Sequence, residues 1–321
     1  AETEGFINIL KTGDKKTTAL DMFHKLSVPF HPDPIVQDEA KWIQEASMGA
    51  IAFGDKYEGP AHKTDICSQY PYLMKQVKNR FPIKKGKFIK LDEIPFPIKV
   101  GIYKCKITGT GDYHKDKFFR FNKFNKYTNI DIVCAKEKGF TIEIIKEEPN
   151  ALVYEYEDCI AGSQLFGTYV DMLFDLKQNH GCKYAKEILN VLWGLLCKRK
   201  NLRKTIDLNQ VSAEIESKYE IDSIRPKGNQ LLVEYYDTND IFESHYARIK
   251  PFLLAMGRRL LAQYATKIGE TNIVRAHTDG MISKIKPEIE YGNNLGDLKH
   301  EGYCEKCVIH HVGKVEGEFK I

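Results

Sequence analysis

Between Gly162 and Cys197 the chain carries two apolar stripes at helical spacing, separated only by Asn179-His180-Gly181. The first is Leu165, Tyr169, Met172, Leu173 and Leu176, and the second is Ile188, Val191, Leu192 and Leu195. Two amphipathic helices joined by so short a break fold back on each other, so the segment predicts a helical hairpin. Strand patterns flank it. Lys63 to Ile66 and Val100 to Ile107 have β character, and Thr141 to Ile145 and Ala151 to Tyr156 surround the turn Glu148-Pro149-Asn150 and predict an antiparallel hairpin. Beyond Lys204, strands recur at Tyr219 to Ile224 and Gln230 to Tyr236 across the turn Lys227-Gly228-Asn229, and a strand-turn-strand at Asn272 to Ile285. The chain is therefore α+β, a sheet body from which a helical hairpin projects.

Further helices are predicted around Ala19 to Leu26, over Gln37 to Ser47 and from about Tyr246 to Lys267. Phe6 to Leu10 is a short apolar strand or helix, Val28 to Pro34 is broken by proline, and Met48 to Phe53 reads as a strand containing Gly49. No internal repeat is present.

A length of 321 residues gives two structural units or one large domain with subdomains. With 42% hydrophobic and 29% charged residues the chain is neither disordered nor fibrous. No apolar run approaches the roughly 18 residues of a membrane span, and the N-terminus has no apolar signal core, so no membrane partner is expected. Ala1 in place of Met predicts a piece of something longer. The eight cysteines are scattered mostly through apolar segments, which reads as reduced and intracellular. An excess of 48 Lys+Arg over 44 Asp+Glu is too small to argue for nucleic acid. Local clusters say more: Lys75 to Lys90, Lys198 to Lys204 and Arg258-Arg259.

Three elements carry chemistry. In His62 to Pro71 an acidic residue ends a short strand, where the Asp65 carboxylate and the Ile66 carbonyl are hard-oxygen ligands for a cation. The same segment fits a helix N-cap at Asp65 or Ser68. In Ile273 to Ile282, Thr278, Asp279 and Gly280 form a turn that displays Asp279 at a hairpin tip, although Asp-Gly is also the commonest hairpin turn signal. Two strand-tip carboxylates far apart in sequence are the arrangement that bridges two Mg²⁺ ions about 4 Å apart. In Lys186 to Gly194, Lys186, Asn190 and Trp193 share a helix face, with Lys177 and Lys183 near its start. That stripe suits a triphosphate; the plainer alternative is a solvated lysine beside a core tryptophan.

In this order the three elements resemble motifs A, B and C of family B DNA polymerases, most closely the protein-primed viral, plasmid and transposon branch. The pattern D-x-x-S-L-Y-P appears as Asp65 to Pro71 with Gln69 for Leu. The pattern K-x-x-x-N-S-x-Y-G appears as Lys186 to Gly194 with Val191 for Ser and Trp193 for Tyr. The pattern Y-G-D-T-D-S appears as Arg275 to Gly280 with His277 for the first Asp. Gly162 to Lys177 resembles the first fingers helix, Leu295 to Glu301 the strand segment after motif C, and Met48-Gly49-Ala50 the template-contacting glycine segment. The resemblance runs from about residue 40 to 302.

What the resemblance implies is a polymerase palm with helical-hairpin fingers. Residues 1–60 are a connecting segment, 61–161 the first part of the palm, 162–204 the fingers, and 205–321 the second part of the palm with the start of a thumb. No Asp-x-Glu exonuclease motif occurs, so the exonuclease domain is expected to be absent and the thumb partial or absent. The activity implied is template-directed DNA synthesis with two Mg²⁺ ions, or Mn²⁺, held by Asp65, Ile66 and Asp279. Tyr70 would exclude a 2′-hydroxyl. Ser68, Lys177, Lys183, Lys186, Asn190 and Trp193 would bind the nucleotide, His277 and Thr278 would flank the metal-binding Asp279, and Gly49, Lys299 and the basic clusters would touch DNA. Partners implied are template-primer DNA, deoxynucleoside triphosphates and a terminal-protein primer, in a virus, plasmid, mobile element or mitochondrion. The other classes are an inactive nucleic-acid-binding relic and an RNA-directed or non-templated transferase, which Tyr70 and motif B disfavour. His277 is expected to alter metal preference without abolishing activity. Cys304, Cys307, His310 and His311 have zinc-ligand chemistry, but the Cys-to-His spacing is too short for a finger and favours a strand pair.

Overall fold

The computed structural model describes residues 13–27, 30–207 and 219–321. The Phe6 to Leu10 segment lies outside them. The chain opens with helices α1 (Lys15–Leu26) and α2 (Gln37–Ala46). Asp14 caps α1 by accepting the Lys16 and Thr17 amides at 2.7 and 3.0 Å, satisfying two otherwise unpaired donors. Strands β1 (Ala52–Gly54) and β2 (Tyr57–Ile66) lead into the short helix α3 (Gln69–Lys75).

A second β region follows: β3 (Arg80–Pro82), β4 (Lys87–Ile89), β5 (Gly101–Thr108), a single helical turn α4 (Tyr113–Asp116), β6 (Lys126–Thr128), α5 (Asn129–Glu137), β7 (Thr141–Ile144), β8 (Ala151–Val153) and β9 (Cys159–Ala161). Thr128 and Asp131 start α5 with a reciprocal capping box. The predicted hairpin between the β7 and β8 segments does not form. Both strands pair with β5 in succession, β7 against Cys105–Thr108 and β8 against Gly101–Tyr103. The turn residue Asn150 is fully buried and bonds Leu91 and Ile145 backbone groups, so it joins two pairings along one strand rather than reversing the chain.

The helical hairpin is present as α6 (Gly162–Gln178) and α7 (Lys183–Leu196). Its facing residues Leu165, Tyr169, Leu173, Ile188 and Leu192 are almost fully buried. Gly162 is where α6 meets α3: a Cβ there would lie 2.1 Å from the Met74 carbonyl oxygen, so no larger residue allows that approach. Next come β10 (Asn201–Asp207), β11 (Tyr219–Lys227) and β12 (Gln230–Asp237), an antiparallel sheet ordered β10-β12-β11. A 3₁₀ turn at His245–Arg248 leads into the long helix α8 (Ile249–Ile268), and the chain ends with β13 (Ile273–His277), β14 (Gly280–Ser283), β15 (Leu298–His311) and β16 (Lys314–Glu316).

Strands from both ends of the described chain share one six-stranded antiparallel sheet, ordered β1-β13-β14-β2-β15-β16. One face packs on α8: Ile66, Ile273, Ala276, Met281 and Leu298 form a core with Leu261, Ala262 and Ala265. Strand alternation then turns Asp65 to the opposite face, because Thr64 and Ile66 point inward at 1% and 0% exposure. The helical hairpin belongs to a second core with α1, α2 and the first half of α8.

Candidate active site

Asp65 is the penultimate residue of β2 and pairs in register with Gly280 at the start of β14. The β13–β14 loop is Thr278-Asp279 alone, since His277 pairs with Gly280. The turn expected over Thr278, Asp279 and Gly280 is thus shifted: Gly280 is a strand residue. The positive φ falls on Thr278 at 62°, the first loop position, where a type II′ turn normally has glycine. The Ile66 amide donates to the Asp279 carbonyl at 3.0 Å, which ties the two carboxylate-bearing residues together through the backbone. The alternative reading of Ser68 as a side-chain helix cap fails, because its backbone is left-handed and its side chain caps no amide.

Burial pushes the Asp65 carboxyl up to about 6, and the facing charges of Asp279 and Glu301 add to that; Lys63 and Lys186 oppose it. Asp279 is also raised, chiefly by burial, with His277 and Lys186 drawing it back and Glu301 adding to the rise. Two desolvated carboxylates that resist ionising together are the donor set of a divalent cation site, with hard oxygens on both and a backbone carbonyl at Ile66 beside them. The residues therefore fit Mg²⁺ or Mn²⁺. Glu301, which motif reasoning did not single out, is held by Lys63 at 2.7 Å. Only the β2–β15 pairing brings it there.

The helical hairpin supplies cations to the same place. Lys177 Nζ donates to Ser68 Oγ at 3.2 Å. Burial lowers the Lys177 pKa, and Lys186 and Lys299 lower it further, while Cys67 and Asp65 oppose them. Lys177, Lys183, Lys186 and Asn190 line a cleft of about 770 Å³ at the hairpin tip. Trp193 is half-buried with its ring 4.8 Å from that of Tyr70. Gln69 reaches Gly257 of α8, donating to its carbonyl at 3.1 Å. Tyr70 packs on Gly257 so tightly that a Cβ there would lie 3.1 Å from the ring. That burial pushes the Tyr70 hydroxyl up to about 12.

Gly49 is exposed, two residues before Ile51, which meets the β13–β14 turn. Arg258 donates to the Met48 and Gly49 carbonyls at 2.8 and 3.2 Å, Arg120 to the Ala50 carbonyl at 3.1 Å, and the Thr278 amide to the Ile51 carbonyl at 3.1 Å. The expectation that every basic cluster meets DNA needs correction at Arg258. Arg258 is buried and paired with Asp131 at 2.7 Å, so it is structural. Lys75, Lys84, Lys90, Lys198, Lys200 and Arg259 also have carboxylate partners. Cys304 and Cys307 are buried beside Ala61, Val274, Ile282 and Ile309, and His310 pairs with Glu316. Among the described residues, no three His, Cys, Asp or Glu side chains are grouped to hold a metal ion.

Residues 17–255 match the family described as DNA polymerase type B, organellar and viral. The chain belongs to that family. Its type B polymerase fold is also that of phi29 DNA polymerase, at 14–16% identity. The phi29 enzyme in ternary complex with primer-template DNA and incoming nucleotides matches with a TM-score of 0.66 at 16% identity, covering 99% of this chain and 57% of that one. The binary complex with primer-template DNA gives 0.66 at 14% identity, covering 94% and 54%. The complex with single-stranded DNA gives 0.62 at 16%, covering 96% and 54%. This type B polymerase chain spans a little over half the length of those structures. No curated protein matches it by sequence.

Proposed function

We propose that the protein is a template-directed DNA polymerase that adds deoxynucleotides to a primer 3′ end at Asp65 and Asp279. The reading rests on one observation above others: two carboxylates distant in sequence are brought together in one sheet, Asp65 on β2 and Asp279 in the turn that opens the neighbouring β14, each kept from ionising freely by burial and acidic neighbours. Family membership supports it.

In this reading residues 61–161 and 205–321 form the palm around the sheet that contains β2 and β13–β16, residues 162–204 form the fingers, and template-primer DNA and deoxynucleoside triphosphates are the partners. Asp65, Asp279 and the Ile66 carbonyl would hold two divalent cations. Such ions, when bound, lower the pKa of the primer hydroxyl and neutralise charge on the triphosphate and its leaving pyrophosphate. Lys177, Lys183 and Lys186 receive the triphosphate, and Ser68 fixes the Lys177 ammonium. Asn190, Trp193 and Tyr70 bound the nascent base pair, with Tyr70 excluding a 2′-hydroxyl. His277 draws down the Asp279 pKa from the position where relatives of the motif carry an acid.

Primer extension on a defined template with Mg²⁺ tests the proposal. Asp65→Asn and Asp279→Asn should each lose at least about a thousandfold in rate, a loss on the scale of removing an essential electrostatic group, with unchanged circular dichroism. Extension by either variant at the parent rate rejects it.

A further inference from the structure

The segment Phe118 to Tyr127 carries a feature that neither the core nor the proposed reaction uses. Phe118, Phe119 and Tyr127 are buried, whereas Phe121 and Phe124 are 45% and 44% exposed. Phe121 is fixed from behind. Its ring lies 5.1 Å from Phe119 and 5.9 Å from Phe140, nearly parallel to the latter at 15°, so its outer face cannot turn inward without breaking that stack.

Exposed cations alternate with the rings. Lys126, and Lys117 just before the segment, are paired with Glu45 and Asp55. Arg120 and Lys123 have no carboxylate partner among the described residues, and Lys123 Nζ stands 4.7 Å from the Phe124 ring centre. The patch also has a position. Arg120 holds the Ala50 carbonyl, and the next carbonyl, Ile51, accepts the amide of Thr278 in the Asp279 turn.

We propose that Phe121 and Phe124, with Arg120 and Lys123, form a base-stacking platform for single-stranded nucleic acid beside the carboxylate site. Exposed rings stack any base, and adjacent unpaired cations neutralise the phosphates between bases. A duplex offers its phosphates but not its base faces, so the rings discriminate in favour of a single strand. That this strand is the template rests on the polymerase reading; the binding itself does not.

The test is fluorescence anisotropy with a labelled oligothymidylate of about 16 nucleotides, the upper end of the site sizes of such platforms, and with a blunt duplex of equal length. Divalent cation is omitted. Phe124→Ala and Phe121→Ala should each weaken single-strand binding about tenfold and leave duplex binding within about twofold, with affinity kept by Phe124→Trp. Lys123→Ala should lower the single-strand salt slope by about 0.7. Phe124 stands outside the cluster of Phe119, Phe121 and Phe140, so its variant decides the matter even where Phe121→Ala unfolds. Unchanged single-strand affinity in Phe124→Ala, as expected of a protein-docking patch, overturns the platform, and so does an equal loss on duplex. Ring-dependent binding by a chain that extends no primer rejects the polymerase reading and leaves the platform standing.

Discussion

Thr278 has a left-handed backbone, at a φ of 62°, where a β-branched residue is rare and costs on the order of 1–3 kcal/mol. The strain sits next to Asp279 and is held by the hydrogen bond that the Thr278 amide donates to the Ile51 carbonyl. Thr278→Gly should therefore leave thermal stability unchanged or raised while slowing primer extension, because a looser turn no longer fixes the carboxylate. A fall in both would mean the residue is simply structural. Asp65 makes a pH prediction. Its folded pKa of about 6 lies above the ordinary value of 3.8, so between those values the folded chain holds a proton that the unfolded chain has lost. Stability contributed at this position is thus highest at low pH and declines as pH rises through that window. A cation that binds the ionised carboxylates opposes the decline. Mg²⁺ should raise the melting temperature above about pH 6 and scarcely at about pH 4, and Asp65→Asn should remove the difference. These residue-scale features were partly legible. Motif spacing picked out Asp65 and Asp279, but the shifted turn and Glu301 depend on strand register, which spacing does not encode.

Elements differ in how far their sequence speaks for them. The helical hairpin was readable because two long apolar stripes repeat at the helical period, a local property. The β7 and β8 pairing was not, since a strand's alternation says which face is buried and not which strand lies beside it. The placement of α2 against α8 is another non-local matter. Glu39 and Arg248 are 1% and 0% exposed, with two hydrogen bonds of 2.7 Å between them. Tyr154 and the Gly86 amide also donate to Glu39, and Arg248 reaches the Asp33 and Pro34 carbonyls. Such a pair strands a buried charge when halved. Glu39→Ala or Arg248→Ala should cost about 3–5 kcal/mol in denaturant unfolding, and replacing both by apolar residues should cost much less than the sum.

At the scale of the molecule, charge is arranged differently from the order of residues along the chain. The Lys-rich runs are largely answered by nearby carboxylates, whereas Lys177, Lys186 and Lys299 gather near Asp65 with no carboxylate within ion-pair distance among the described residues. Salt dependence of duplex binding should reflect this. Lys299→Ala should reduce the slope of log affinity against log salt by about 0.9, the value of one phosphate contact, and Lys198→Ala by clearly less, because Glu243 already holds Lys198 at 2.6 Å. Equal effects would show that the paired cluster opens onto DNA.

The sequence by itself determined the α+β class, the helical hairpin, the strand-tip carboxylates and the family, because these rest on local periodicity and on short ordered motifs. Only the tertiary structure decided that β2 lies between β14 and β15, that Gly280 rather than a turn faces Asp65, that Arg258 is a core residue, and that Phe121 and Phe124 are left exposed. Those depend on pairings between segments on either side of the hairpin, and their energies arise only once the chain has closed on itself.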